Sequence, residues 1–162
     1  MRFAIVITVA SVTSCAVVSH DVTNDPVAAR ITGKCFMLVE DAYVVNTGGI
    51  GVRDTLYVPA KRCRAADGTL NGFCVASVKA RVQRGTKLTI TQVSNHADGE
   101  NGRCWRTFAR LDGTTGVDHD VEVPSCLFHS LGAVWVTSWN PSDTSSIEFK
   151  PSRLTACEAS AP

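Results

Sequence analysis

The chain's most reactive grouping is DHDVEV, where Asp118, Asp120 and Glu122 alternate around His119. On a strand, alternate side chains share one face, so the three carboxylates are expected to form a row. Closely spaced carboxylate oxygens suit a hard cation such as calcium. The stretch nevertheless lacks the glycine and ligand order of a calcium loop, which favours a solvated acidic face or a surface for a basic partner, with no metal. Paired glycosidase carboxylates instead flank a cleft from different elements, about 5 to 9 Å apart. His119 beside Asp118 or Asp120 has the makings of an oriented base, but base catalysis through a covalent intermediate needs a nucleophile next to it. No G-x-S-x-G elbow is present, and that motif is what would single out one serine among many. A hydrolase using His119 and its carboxylates is therefore an alternative reading; no enzyme activity and no cofactor are expected.

Trp135 and Trp139 stand four apart in AVWVTSW, on one strand face with Thr137 between them. Two indoles on a flat face could stack on a sugar ring of peptidoglycan or another glycan, or anchor a protein partner. In a domain of this size the competing and favoured use is core filling. Arg103, Arg106 and Arg110 on one strand, with Lys79, Arg81 and Arg84 on a possible neighbour, make a local basic strip that would answer the carboxylate row across a sheet.

Those residues need a scaffold, and the composition limits what it can be. The 162 residues carry 16 Lys and Arg against 15 Asp and Glu, a net charge of +1. Such a balance provides no broad basic field, so nucleic acid is not an expected partner. The length suits one domain. The seven cysteines are Cys15, near the start, and Cys35, Cys63, Cys74, Cys104, Cys126 and Cys157. An even set of six in an exported chain reads as disulfides, with fifteen possible connectivities. Hairpin proximity and closure of the domain ends suggest Cys63 with Cys74, Cys104 with Cys126, and Cys35 with Cys157. Zinc is disfavoured, because no paired C-x-x-C or H-x-x-x-H spacing occurs and oxidation removes the thiolates.

From Cys35 onward, short runs rich in β-branched and aromatic residues recur between Gly, Asp and Asn clusters: CFMLVE, AYVVN, TLYVP, FCVASVKARV, KLTITQVS, RCWRTFARL, HDVEV, AVWVTSW and IEFK. Regular short strands predict an all-β fold, a small disulfide-bonded barrel or a sandwich. In KLTITQVS, Leu88, Ile90 and Gln92 are expected on one face and Lys87, Thr89 and Thr91 on the other. ADG and NG pairs at 66–72 and 97–102 predict two exposed hairpin tips. Asp25 and Pro26 predict one short helix, with Gly33 beyond its end. PSCLFHSLG suits a single helical turn, and Asn140 to Asp143 a turn. Gly85 and Thr86 before the alternating strand make a GTKLTI segment that resembles the turn and strand of bacterial SH3-like barrels over residues 35–111. That resemblance implies a small barrel; no groove aromatics matching that family are found, so peptide or cell-wall recognition does not carry over to particular residues.

At the N-terminus, Arg2 precedes an apolar run from Phe3 to Ser14. A charged start, an apolar centre and small residues before a cut site read as a secretory signal, and the run is shorter than the ~20 residues of a bilayer span. Val12-Thr13-Ser14-Cys15 resembles the lipobox of bacterial lipoproteins. The resemblance implies acylation of Cys15, cleavage in front of it, and anchoring in the cell envelope, with Ala16 favouring the outer membrane and a domain facing the periplasm. The expected organisation is a signal at 1–14, a lipidated N-terminus and flexible tether at 15–32, one β domain at 33–157 and a frayed tail at 158–162. The expected function is binding of a protein partner in the envelope, as an inhibitor, an immunity protein or an assembly accessory. A peptidoglycan-binding module is the alternative of a different class.

Overall fold

The computed structural model describes residues 18–46, 54–59, 63, 77–98, 102–125, 135–137 and 147–157. Its strands are β1 (Val18–Asp21), β2 (Cys35–Leu38), β3 (Ala42–Asn46), β4 (Thr55–Tyr57), β5 (Ser77–Val82), β6 (Lys87–Asp98), β7 (Gly102–Leu111), β8 (Val121–Val123) and β9 (Leu154–Ala156), with one short helix, α1 (Pro26–Ala29). All nine strands belong to one sheet in the order β5-β3-β4-β8-β7-β6-β2-β9, and β1 pairs with β6 beside that path. The all-β expectation holds. The barrel does not: among the described residues β5 and β9 end the sheet and do not meet. Neighbours are antiparallel except β4 and β8, which run parallel at Thr55 and Glu122.

One apolar core gathers Leu38, Val44, Leu56, Val82, Leu88, Ile90, Val93, Trp105, Ala109, Leu111, Val121 and Val123 from the seven strands β2 to β8. α1 and the turn after it add Ala28 and Ile31. β4 is buried throughout and β3 from Ala42 to Val45, as expected of continuous apolar runs in interior strands. Their second face forms a smaller cluster of Tyr43, Val45 and Tyr57.

The longest hairpin, β6–β7, departs from simple alternation at one place. Ile90 pairs with Ala109 and Gln92 with Phe108, so Thr91 is an extra residue with no partner in the ladder. A bulge of this kind shifts the side-chain phase by one. Leu88 and Ile90 therefore point into the core, as expected, but the next inward residue is Val93, fully buried. Gln92 turns outward and donates to Asp21 Oδ2 at 3.0 Å.

That bulge marks where the N-terminal segment leaves β6. β1 pairs with β6 from Val18 opposite Ala97 to Asp21 opposite Ser94. The chain detours through α1, then returns as β2, with Cys35 opposite Thr89. Val22 N–H still donates to Val93 O at 3.0 Å, and Gly33 N–H to Ile90 O at 2.8 Å, on either side of the detour. The flexible tether expected within residues 15–32 is thus corrected: Val18–Asp21 is a sheet strand. VSHD has no apolar period to announce it, because the pairing is made by backbone groups along a stretch of β6 that β2 is too short to cover. Asp25 occupies the N-cap and Pro26 the first helical turn, without a side-chain cap bond.

The last strand is held covalently. Cys35 and Cys157 form a disulfide across 122 residues, and Cys157 N–H donates to Cys35 O at 3.1 Å. This is the pairing expected from closure of the domain ends. Cys63 and Cys104 each take part in a disulfide as well; Cys74 and Cys126 lie outside the described residues, as do Cys15, the 124–132 turn beyond Ser125, the 140–143 turn and the 158–162 tail.

Candidate functional site

The polar residues singled out by the sequence converge on the loop between β7 and β8, residues 112–120. Two positive-φ glycines, Gly113 and Gly116, let this loop reverse tightly, since that conformation costs glycine no side-chain clash. Val117 drops into the core and fixes the loop at its middle. Asp112 N–H donates to Lys87 O at 2.9 Å, and Arg110 Nη1 donates to Asp118 O at 2.6 Å.

The expected carboxylate row does not exist as such. β8 begins only at Val121, and each acid is held separately. Glu122 is fully buried and takes both arms of the Arg106 guanidinium, with Nε to Oε1 at 2.9 Å. Arg106 also lies over the Phe108 ring, 5.4 Å from its centroid. Asp120 accepts from Arg110 Nε at 2.7 Å and from Thr91 Oγ1 at 2.9 Å. Asp118 is exposed and, among the described residues, meets its neighbour His119 and, through its carbonyl, Arg110. The basic strip on β7 does answer the acids across the sheet, through Arg106 with Glu122 and Arg110 with Asp120. Arginine's planar fork suits such paired contacts.

The residue that sequence reasoning missed is Asp54. It precedes β4, is 4% exposed, and receives three polar groups from separate elements. Lys79 Nζ sits 2.7 Å from Oδ2, His119 Nε2 donates to Oδ2 at 2.8 Å, and Asn46 Nδ2 donates to Oδ1 at 3.3 Å. Its main chain also accepts Glu122 N–H at 2.7 Å. Lys79 reaches it through a second bulge: Val44 pairs with Ala80 and Val45 with Val78, leaving Lys79 as the extra residue of β5. Both bulge residues, Lys79 and Thr91, therefore aim at carboxylates of this cluster. An isolated Asp before a strand reads as an ordinary turn residue, so only its burial gives it away.

His119 lies between two acids. Its Nε2 meets Asp54 and its Nδ1 stands 3.2 Å from Asp118 Oδ1. Both contacts are donated at once only by the imidazolium. The Asp118 hydrogen bond and then the Asp54 bond raise the His119 pKa above its ordinary value. Burial pushes Asp54 upward, but the hydrogen bonds from Lys79 and His119 outweigh it and hold the carboxyl below its ordinary range. The His119 bond likewise lowers Asp118. A general base needs a free ring nitrogen near substrate; in this arrangement both nitrogens of His119 are occupied. Among the described residues, no group of three or more His, Cys, Asp or Glu side chains is placed to hold a metal ion.

Trp135 offers no stacking face. It is 1% exposed and belongs to the core. Its main-chain N–H donates to Pro124 O and its main-chain carbonyl accepts Lys150 N–H, each at 2.7 Å. Trp139 lies outside the described residues. Within the described part, the two-indole sugar platform therefore loses one of its members to packing.

No protein-family model matches this chain, and neither a curated protein nor a solved structure does.

Proposed function

We propose that the protein is an exported lipoprotein, acylated on Cys15, that binds a protein partner in the cell envelope through the 112–120 loop. The observation carrying this reading is the way the loop is held. Val117 in the core, the Arg110 and Thr91 contacts to Asp118 and Asp120, and the His119 bridge to Asp54 fix its path. Asp112, Thr115, Asp118 and His119 remain exposed along it. A loop ordered before binding loses little conformational entropy on association, and binding residues concentrate on loops carried by a rigid scaffold. The mixed charges favour a partner with complementary charges, which add specificity and encounter rate. Cleavage in front of Cys15 also leaves β1, which begins at Val18, intact.

The test is capture by the mature domain, Cys15→Ser, from envelope extract, followed by identification and titration of the captured protein. The reading requires stoichiometric capture by the parent domain that falls at least tenfold in Asp118→Arg while that variant remains folded at the assay temperature. An empty column, or capture indifferent to Asp118→Arg, sinks it. Retention on purified peptidoglycan alone would move the function to glycan binding.

A further inference from the structure

We propose that the domain stands on a phospholipid bilayer with the turn end of the β6–β7 hairpin against the headgroups and the 112–120 loop facing away. This placement rests on Cys15 being the acylated residue. It follows from where the chain enters the sheet. β1 runs antiparallel to β6 with Val18 opposite Ala97, one residue from the end of the hairpin, where Asp98 faces Gly102. Only Ala16 and Val17 separate Cys15 from Val18. Three Cα steps reach at most ~11 Å, less than the ~15 Å radius of gyration of a domain this size. A leash that short does not let the domain turn freely above a surface. The backbone of Ala97, Asp98, Gly102 and Arg103 is therefore carried to the headgroup region.

The same strand sets the height of the loop. Thr91, which holds Asp120, is six residues from Ala97 along β6, a rise of about 20 Å. A domain on a long flexible tether would offer every face to a partner; this one offers its far end.

The acylated protein, isotope-labelled and inserted in phosphatidylcholine–phosphatidylglycerol nanodiscs carrying a gadolinium-chelated headgroup lipid, reports the orientation through amide relaxation. The amides of Ala97, Asp98, Gly102 and Arg103 are expected to relax several-fold faster than those of Thr91, Arg110 and Asp120. Cys15→Ser, added to the same nanodiscs, should show no gradient, and a Gly-Ser insertion of about 12 residues before Val18 should flatten it. Intact mass separates the two ways of failing. An unmodified Cys15 removes the anchor and the placement together, whereas an acylated Cys15 with uniform or reversed relaxation keeps the anchor and overturns the placement.

Discussion

Lys79 is the extra residue of the β5 bulge, and its ammonium sits 2.7 Å from the buried carboxylate of Asp54. A regular strand would have kept Val44 and Val45 opposite consecutive residues of β5 and left no spare position; the bulge supplies one. Asp54 thereby joins β3, β5 and the 112–120 loop through Asn46, Lys79 and His119. Asp54→Ala is expected to destabilise the fold by about 1 to 3 kcal/mol, the range for hydrogen bonds to a charged group and for donors left without one. Hydrogen exchange should rise selectively in 112–120. Urea unfolding together with exchange checks both, and uniform acceleration across the sheet would contradict the assignment of Asp54 to this loop.

Glu122 and Arg106 make a different kind of pair, because Glu122 has no solvent access. Removing one member strands the other charge in a poorly solvated site, which typically costs ~3 to 5 kcal/mol. Glu122→Ala should fall in that range. Arg106→Met with Glu122→Leu should recover much of the loss, since an apolar pair leaves no unpaired charge. A double-mutant cycle in denaturant measures the coupling; additive losses would show that the two residues do not act as a pair.

The disulfide between Cys35 and Cys157 closes a loop of 122 residues. In the chain-entropy account, long closed loops restrict the unfolded state most, and loss of a native bridge costs about 2 to 5 kcal/mol. Cys35→Ser with Cys157→Ser should lose stability in that range, lowering the urea midpoint and steepening the slope as the unfolded chain is released. Exchange should increase first in β9, which pairs with β2 through three residues.

Stability should fall on both sides of a plateau. Asp54 and Asp118 have folded pKa values below the ordinary 3.8, so what they contribute is present above that value and lost as pH falls through their lowered values. His119 is raised above 6.5; its contribution is complete below 6.5 and lost as pH rises through the raised value. Denaturation across pH should show the alkaline decline reduced in His119→Gln and the acid decline reduced in Asp54→Asn. An alkaline arm unchanged in His119→Gln would refute the bridge.

Much of this architecture was legible from residue patterns. β-branched runs between glycine and Asx clusters marked most of the described strands, because strand burial leaves a period of two in the side chains. The arginines of RCWRTFARL and the acids of DHDVEV were legible as neighbours for the same reason: charges on adjacent strands must be compensated where they meet. Cys35 and Cys157 were legible as closing the domain.

Other features depend on the fold alone. β1 joins β6, and β9 joins β2, through backbone groups, which leave no mark on side-chain composition. The phase change at Thr91 comes from one unpaired residue, and KLTITQVS reads as plain alternation without it. Trp135 and Trp139 have the spacing of a binding face, yet Trp135 is buried in the core. Asp54 is an ordinary aspartate in sequence. Its burial, and the arrival of Lys79, Asn46 and His119 from three separate segments, are decided only when the sheet assembles, because register determines which polar groups lose water together.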